Sequence, residues 1–210
     1  MTSISIIGAG NMGTAIAGIA AAGGASVQLL AQDAEKTAAA AATLGAAVVA
    51  GAAGDALTGD IVVLALPYPA VAGVLAQYAG QLDGKIVVDI TNPLDFATFD
   101  SLVVPADGSA AQVIADSIPE ARVLKAFNTT FAATLATNGV NGVAPTTVLI
   151  AGDDAAAKDA LIGVLAAGGV AAVDAGALKR ARELEALGFL QLTLAAGNSI
   201  GWTGGFALVK

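Results

Sequence analysis

Short runs of β-branched and aliphatic residues alternate along the chain with alanine-rich stretches of helical length. This alternation is typical of an α/β protein with a parallel sheet. The runs are apolar at nearly every position, as expected for strands that helices cover on both faces. The pattern predicts strands over residues 3–7, 26–30, 61–66, 85–90 and 123–127.

Helices are predicted between these strands, where small residues follow a helical period and glycines close the segments. The pattern indicates helices over residues 11–22 and 34–44, and a short amphipathic helix from Val71 to Tyr78. Residues 99–110 show no clear period, and we expect them to form a loop. The order of these elements predicts a doubly wound parallel sheet with helices on both faces.

The last third of the chain repeats the alternation on a smaller scale. Runs typical of strands lie at residues 147–151 and 170–173, and Asp153 or Asp154 can cap the helix between them. A long helix is predicted over residues 177–196. These elements indicate a second, smaller α/β unit.

The length of 210 residues suits one sizeable domain or a domain with a small addition. We expect a first domain over residues 1–127 that holds the five strands described first. Residues 128–210 are expected to form a small C-terminal α/β portion that completes the active site.

The last predicted helix is apolar on most of its faces, with leucine or phenylalanine at 184, 187, 189, 190, 192 and 194. Such a helix is buried in a core or in a subunit interface. Trp202 and Phe206 add apolar surface in a glycine-rich tail. Because large exposed apolar patches are uncommon on monomers, we expect a homodimer, with an intramolecular core helix as the alternative.

Composition excludes several classes of protein. Apolar residues make up 56% of the chain and charged residues 12%, which is unlike a disordered protein. The most apolar stretch, residues 15–31, is interrupted by glycines and polar residues, so we expect no membrane-spanning helix. The first residues lack the basic flank of a secretory signal. We therefore expect a soluble, cytoplasmic protein.

Charge and the missing residue types restrict the chemistry further. A net charge of −8 argues against a nucleic-acid partner, which requires a basic surface. The chain has no Cys and no His, so the usual thiol nucleophile, general base and metal ligands are absent, and we expect no metal site. The chemistry is expected to rely on a bound cofactor. Turnover should need no protein group that titrates between about pH 6 and 8, unless burial raises the pKa of a carboxylate.

The strongest local motif is Gly8-Ala9-Gly10-Asn11-Met12-Gly13, which follows the first strand and opens the first helix. In this context Gly8 permits a tight turn, Gly10 lets the backbone approach a pyrophosphate, and Gly13 lets the helix pack on the strand. The amides at the start of the helix can then bind the phosphates. The motif predicts dinucleotide binding over Gly10, Asn11 and Met12.

The end of the second strand is where the adenine ribose of a dinucleotide would lie. An acidic residue there selects NAD, and an arginine accommodates the 2′-phosphate of NADP. The positions are held by Ala31 and Gln32, so neither rule is met. Asp33 could reach a ribose hydroxyl or cap the next helix, and Lys36 could meet a 2′-phosphate or lie in solvent.

Further candidate binding residues follow the third and fourth strands. Leu66, Pro67 and Tyr68 follow the third strand, and Asn92 and Pro93 follow the fourth. Ligands of open α/β sheets bind outside the carboxyl ends of the strands, so these residues are expected to line a cofactor site. Ordinary strand termination by proline is the alternative.

Several stretches, taken in order, resemble the family of NADPH-dependent F420 reductases and the reductase domain of the STEAP metalloreductases. The stretches are 8–13, 84–93, 123–129, 151–154, 173–178 and 181–185. The resemblance implies a Rossmann-type fold and hydride exchange between NADP(H) and F420 or a flavin such as FMN or FAD. It also implies a cofactor contact at Ala126 and a nicotinamide and acceptor face at Asn128, Thr130, Ala132 and Gly204.

Two residues depart from the family pattern. Members that bind NADP usually have Ser-Arg where this chain has Ala31-Gln32, so NAD is also possible. Some F420 reductases have His where this chain has Asn128. Since hydride transfer needs positioning more than an acid or base, the absence of His fits the resemblance, and we identify no certain catalytic residue.

Two other functions remain open at this point. Similar glycine-rich openings occur in pyrroline-carboxylate and β-hydroxyacid reductases, and the latter use a catalytic lysine after the first domain. Lys158 and Lys179 are the nearby lysines, and neither has a matching context. The third possibility is a dinucleotide-binding sensor without catalytic activity.

Overall fold

The computed structural model describes residues 2–209. A single sheet of eight strands forms the centre of this part of the chain, in the order β10-β9-β6-β5-β4-β1-β2-β3. A separate two-stranded hairpin is formed by β7 and β8. The strands are β1 (Ser3–Ile7), β2 (Ser26–Ala31), β3 (Val48–Ala52), β4 (Ile61–Leu64), β5 (Ile86–Asp89), β6 (Arg122–Lys125), β7 (Gly139–Val140), β8 (Ala144–Pro145), β9 (Thr147–Gly152) and β10 (Ala171–Gly176).

Helices cover both faces of the sheet. They are α1 (Asn11–Ala22), α2 (Ala34–Leu44), α3 (Val71–Gln77), α4 (Ala110–Ser117), α5 (Ala132–Thr137), α6 (Ala155–Ala167) and α7 (Ala181–Ala196). One buried core joins the sheet to α1, α2, α5 and α6, and a second core joins it to α3 and α4. The predicted Rossmann-type, doubly wound α/β fold is therefore confirmed.

The chain reverses its direction of winding at β1, which lies between β4 and β2 and pairs with both in parallel. Such a reversal leaves a crevice outside the carboxyl ends of the two strands. The glycine-rich turn after β1 opens into this crevice. The sheet order therefore places the predicted binding residues at one edge of the sheet.

The second unit joins the same sheet. Strand β9 pairs antiparallel with β6 through Leu124 and Lys125, and β10 pairs parallel with β9. The small C-terminal α/β portion is thus a β9-α6-β10 unit that extends the first sheet. A domain division between residues 127 and 128 stays a prediction, and its outer limits at 1 and 210 lie outside the described residues.

The structure also contains elements that the sequence pattern did not predict. Strand β3 lies at the edge of the sheet, where Val49 is 64% exposed. Its run Val48–Ala52 is apolar but contains only two β-branched residues among alanines and a glycine. Helices α4 and α5 are short and follow irregular segments. The strand predicted to end at Phe127 ends at Lys125, because Phe127 has a left-handed φ of 63° and belongs to a turn.

No helix within residues 2–209 combines the length and the apolar character needed to cross a membrane. The long helix predicted over residues 177–196 is a short 3-10 turn followed by α7. The buried face of α7 is not wholly apolar, because it includes Glu185 and Gln191.

Candidate functional site

The glycine-rich turn between β1 and α1 is shaped by two glycines that the fold itself requires. Gly8 has a φ of 119° and its N–H donates to Leu30 O at 2.7 Å. A Cβ on Gly8 would collide with the carbonyl oxygen of Ala65, and a Cβ on Gly13 would collide with the carbonyl oxygen of Gly8. These contacts pack α1 tightly on β1 and β4.

Packing does not require a glycine at position 10, because a Cβ built on Gly10 meets no atom within 4 Å. Gly10 caps α1 without a side-chain hydrogen bond, and its carbonyl accepts the first helical bond from Thr14 N at 2.9 Å. The backbone N–H groups of Asn11 and Met12 come before Thr14 in the first turn of the helix, so they have no partner within it. The open space beside Gly10 and the free start of the helix fit a pyrophosphate group.

The predicted ribose end is open to solvent. Ala31 is half-buried, whereas Gln32 and Lys36 are exposed. Asp33 Oδ1 accepts a hydrogen bond from Lys36 N at 3.0 Å, so Asp33 is the N-cap of α2. The capping alternative for Asp33 is confirmed, and its carboxylate is engaged with the helix. A role for Lys36 in binding a 2′-phosphate stays a prediction.

A central cavity of about 360 Å³ lies next to the glycine-rich turn, at the carboxyl ends of β5 and β6. Six of its lining residues were predicted as site residues, and the structure brings them together: Asn11, Met12, Asn92, Asn128, Thr130 and Ala132. The remaining lining residues are Ile90, Phe127, Phe131, Ala133, Leu192 and Trp202. The volume and the mostly apolar wall are typical of a small-molecule site.

Two asparagines form the polar part of this cavity. Asn128 Nδ2 donates to Asn92 Oδ1 at 3.0 Å and to Leu184 O at 2.8 Å, and Asn92 Nδ2 donates to the backbone oxygen of Asn128 at 2.9 Å. Within residues 2–209, Asn128 Oδ1 is buried and has no hydrogen-bond partner. Since buried polar atoms are nearly always satisfied, this oxygen is an exception within the hydrogen-bonded pair of asparagines.

The turn after β6 presents these groups. Phe127 adopts its left-handed conformation, and Thr130 Oγ1 donates to Phe127 O at 2.7 Å. Ala126 and Pro93 are buried and do not line the central cavity.

Helix α7 closes the cavity from the other side. A Cβ on Gly188 would collide with Asn92 Oδ1 and lie 2.9 Å from Asn128 Nδ2, so this helical glycine lets α7 approach both amides. Gln191 Nε2 donates to Thr129 O at 3.2 Å, and its Oε1 accepts from Phe206 N at 2.9 Å. The C-terminal tail is thereby attached to α7.

The tail contributes Trp202 rather than Gly204 to the central cavity. The Trp202 ring lies 5.0 Å from the Phe131 ring, measured between centroids. Gly204 lines a separate depression with Val140 and Ile200. Its predicted role at the acceptor face stays a prediction.

The predicted residues after β4 are also separate from the central cavity. Leu66 is half-buried and Pro67 is exposed. Tyr68 lines a small cavity of about 190 Å³ between α3 and α4. Burial raises the pKa of Tyr68, and the nearby carboxylates of Glu185 and Asp89 raise it further.

A buried charge cluster that the sequence analysis missed is formed by Asp89, Lys125 and Glu185, and none of the three residues lines the central cavity. Lys125 Nζ lies 2.8 Å from Asp89 Oδ2 and 2.8 Å from Glu185 Oε1, and all three side chains are at most 1% exposed. Lys125 Nζ also donates to Thr91 O at 2.6 Å. The cluster joins the ends of β5 and β6 to α7.

Glu185 also caps helix α4. Its Oε2 accepts from Ala110 N at 2.9 Å, and its Oε1 accepts from Ala111 N at 3.2 Å. Burial raises the pKa of Glu185, and the positive charge of Lys125 opposes that rise. Strand and helix ends separated by many residues form this cluster, so no local motif could have identified it.

The described residues contain no group of three or more His, Cys, Asp or Glu side chains arranged to hold a metal ion.

Residues 3–93 match the family described as NADP oxidoreductase, coenzyme F420-dependent. This segment runs from β1 to the end of the loop after β5, and it includes the glycine-rich turn and Asn92. The predicted resemblance is confirmed.

Three known proteins are similar over longer segments. The F420-dependent NADP reductase of Methanocaldococcus jannaschii is 35% identical over 133 residues, which are 61% of this chain and 59% of that protein. The metalloreductase STEAP3 of Rattus norvegicus is 35% identical over 113 residues, 54% of this chain and 22% of that protein. A solved structure of a candidate F420-dependent NADP reductase from Arthrobacter sp. FB24 superposes with a TM-score of 0.84 at 28% identity, covering 100% of both chains.

The alignments thus span 59% and 22% of the two curated relatives.

Proposed function

We propose that this chain, whose residues 3–93 belong to the family of coenzyme F420-dependent NADP oxidoreductases, transfers a hydride between NADP(H) and an F420-like deazaflavin. The proposal rests on one observation, which is that the glycine-rich turn and the central cavity share lining residues. Asn11 and Met12 start α1, where a pyrophosphate fits, and they also line the central cavity beside Asn92 and Asn128. A dinucleotide bound at the turn can therefore place its ring in the cavity.

The residues of the chain act by binding, orienting and excluding water. The amides at the start of α1 bind the phosphates, and the open face of Gly10 lets the backbone reach them. Ile90, Phe131 and Trp202 supply an apolar wall that excludes water from the ring. A bound nicotinamide and a bound deazaflavin supply the hydride donor and acceptor. Holding two reacting groups in line can lower the barrier by roughly 7–11 kcal/mol at the favourable limit.

The identity of the acceptor is tested by stopped-flow oxidation of NADPH. With F420, FMN and FAD offered in turn, we expect the fastest oxidation with F420, because the relatives are named for it. A flavin that oxidises NADPH faster than F420 would replace the acceptor in this proposal. NADPH binding without oxidation by any of the three would favour a dinucleotide sensor.

The lysines that a β-hydroxyacid reductase mechanism would need do not lie at the site. Lys158 Nζ is paired with Asp174 Oδ2 at 2.8 Å, between α6 and β10. Lys179 is exposed on the 3-10 turn before α7. Neither lysine lines the central cavity, and this placement favours hydride transfer by positioning alone.

We propose that NADP(H) is bound with only modest selectivity over NAD(H). Lys36 is the exposed cation near the end of β2, and Gln32 offers a neutral donor. A lysine acts as a point charge that salt screens, whereas an arginine binds a phosphate through two parallel bonds. We therefore expect Gln32→Arg to increase NADPH affinity, measured by calorimetry at low and high salt.

We also propose a homodimer that buries part of the tail. Trp202 is 54% exposed, Phe206 45% and Val209 83%, and Leu190 on α7 is 50% exposed. A groove of about 680 Å³ lined mainly by small apolar residues runs between α1 and α5. Both surfaces are of the kind that subunits cover. Sedimentation equilibrium at micromolar concentration tests this, and a monomer there would contradict it.

A further inference from the structure

We infer that Asn141 is a site of spontaneous deamidation, and that its isoaspartate product loosens the C-terminal tail. This inference does not depend on the proposed function. Asn141 and Gly142 form the exposed turn between β7 and β8, which is closed by a hydrogen bond from Val143 N to Val140 O at 2.9 Å. Both turn residues have a left-handed φ, 49° for Asn141 and 68° for Gly142, as in a two-residue type I′ hairpin turn.

An asparagine that precedes a glycine reacts with its own backbone. The deprotonated nitrogen of Gly142 attacks Cγ of Asn141, the new N–Cγ bond closes a succinimide ring, and Nδ2 leaves as ammonia. Water then breaks one of the two bonds to the ring nitrogen. Aspartate forms if the bond to Cγ breaks, and isoaspartate forms if the bond to the backbone carbonyl carbon breaks. Glycine favours the attack because it has no Cβ and its backbone rotates freely, and the space beside Gly142 is open for 4 Å.

Asn138 provides a comparison close by, because it also precedes a glycine and has a left-handed φ of 48°. Its side-chain amide is held in place, since Asn138 Nδ2 donates to Gly169 O at 2.7 Å. This bond must break before Cγ of Asn138 can turn toward the nitrogen of Gly139. In the described part of the chain, neither the side chain of Asn141 nor the N–H of Gly142 makes a hydrogen bond, so Asn141 has no such obstacle.

Asn198, which is exposed after the end of α7 and has a left-handed φ of 59°, is protected at the other reacting atom. The nitrogen that would attack its side chain belongs to Ser199, whose N–H donates to Leu194 O at 2.8 Å. The Cβ of Ser199 also obstructs the approach, which a glycine would not. Of the three exposed asparagines with a left-handed φ, only Asn141 therefore has both reacting atoms accessible.

The turn that contains Asn141 is attached to the tail. Asn141 N donates to Thr203 O at 2.6 Å, and the adjacent Trp202 packs on Phe131 with ring centroids 5.0 Å apart. Isoaspartate adds one carbon to the main chain and one negative charge. Because turn type and loop length fix the geometry of a hairpin, an added backbone atom changes the shape of this two-residue turn. The hydrogen bond to Thr203 O is then lost, and the tail is held less tightly.

The first test incubates the full chain in mildly alkaline buffer at physiological temperature. Tandem mass spectrometry follows deamidation at each asparagine, and enzymatic methylation measures isoaspartate. We expect Asn141 to react about tenfold faster than Asn138 or Asn198, which corresponds to a barrier lower by about 1.4 kcal/mol. The rate should rise with pH, because the attacking nitrogen must lose its proton. Equal rates at the three asparagines, or faster reaction at Asn138 or Asn198, would overturn the inference.

The second test uses Trp202, the single tryptophan of the chain, to report on the tail. In the wild type, quenching of Trp202 fluorescence by acrylamide should increase in step with the isoaspartate fraction. Asn141→Gly removes the reactive amide and suits the left-handed turn, so its quenching should stay constant during the same incubation. Freshly purified Asn141→Asp carries the added charge without the added backbone carbon, and it should match the fresh wild type. Unchanged quenching after Asn141 has formed isoaspartate, or an equal increase in Asn141→Gly, would contradict the loosening of the tail.

Discussion

The two ends of the candidate dinucleotide site differ in how much of each the protein buries. At the ribose end, Gln32 and Lys36 are exposed and Asp33 is engaged in capping α2. At the ring end, Asn128 is 3% exposed and makes hydrogen bonds to two other elements. Buried groups that are held in place lose little freedom on binding, whereas exposed side chains must be ordered and are screened by solvent.

This difference indicates where specificity resides. The ring end is pre-organised by β5, β6 and α7, so we expect substitutions around it to have the larger effects. The ribose end relies on one flexible lysine, so we expect weak discrimination between NADP and NAD. The variants below test this comparison in order of expected effect.

The largest effect is expected from Lys125→Met, which leaves the carboxylates of Asp89 and Glu185 buried without their cation. Removing one partner of a buried ion pair costs about 3–5 kcal/mol of stability. Urea denaturation measures the free energy of unfolding. Lys158→Met is the control, because its partner Asp174 is half exposed and such pairs contribute about 0–1 kcal/mol. Equal losses of unfolding free energy in the two variants would show that the buried cluster contributes no more to stability than the surface pair.

The glycine-rich turn, which lies between the two ends, is tested by two substitutions, one expected to lower stability and the other to lower NADP affinity. Gly13→Ala should lower the free energy of unfolding by about 1–3 kcal/mol, because its Cβ collides with Gly8 O. Gly10→Ala should leave stability nearly unchanged, since its Cβ meets no atom within 4 Å. It should weaken NADP binding by about tenfold or more, because it obstructs the approach to the phosphates. Unchanged NADP affinity in Gly10→Ala would move the pyrophosphate away from this turn.

The buried carboxylate at the ring end should make stability depend on pH. Burial raises the pKa of Glu185 above its ordinary value of 4.5, so the folded state holds this proton more tightly than the unfolded state. The contribution to stability is therefore complete below about pH 4.5 and is lost as pH rises through the raised pKa, by at most about 1.4 kcal/mol per pH unit. Relative to Glu185→Gln, the wild type should lose stability as pH increases.

Denaturation from pH 4.5 to 8 measures this loss, starting at the ordinary pKa of the group. Glu183→Gln serves as the control, because Glu183 is exposed on the same helix as Glu185 and pairs with Arg180 in the preceding 3-10 turn. Parallel pH profiles for the wild type and Glu185→Gln would contradict the prediction.

The smallest effect is expected at the ribose end. Lys36→Ala should weaken NADPH binding by about two- to fivefold and leave NADH binding nearly unchanged, because exposed charge pairs contribute only about 0.2–1 kcal/mol. Calorimetry with both cofactors gives the ratio. An unchanged NADPH/NADH ratio would identify Lys36 as an ordinary surface lysine, and a loss above about 50-fold would remove the contrast between the two ends.

Much of the fold was predictable because its causes are local. The buried strands are continuous apolar runs, and the helices between them end at glycines, so their positions follow from short stretches of sequence. Edge strand β3 was missed because its alanines and glycine do not distinguish it from the alanine-rich segments that surround it. Six of the predicted site residues meet in one cavity because parallel strands end at the same edge of the sheet.

The sequence by itself determined the doubly wound sheet and the turn that can bind a pyrophosphate, since both depend on residues close together in the chain. The tertiary structure decided what lies around the ring. Asn128 and Asn92 are separated by 36 residues, and Glu185 caps a helix 75 residues away. A hydrogen bond requires atoms within about 3 Å, and only packing of separate elements brings such groups to that distance. The hydrogen bonds between Asn92 and Asn128 and the buried partners of Lys125 were therefore visible only in the folded chain.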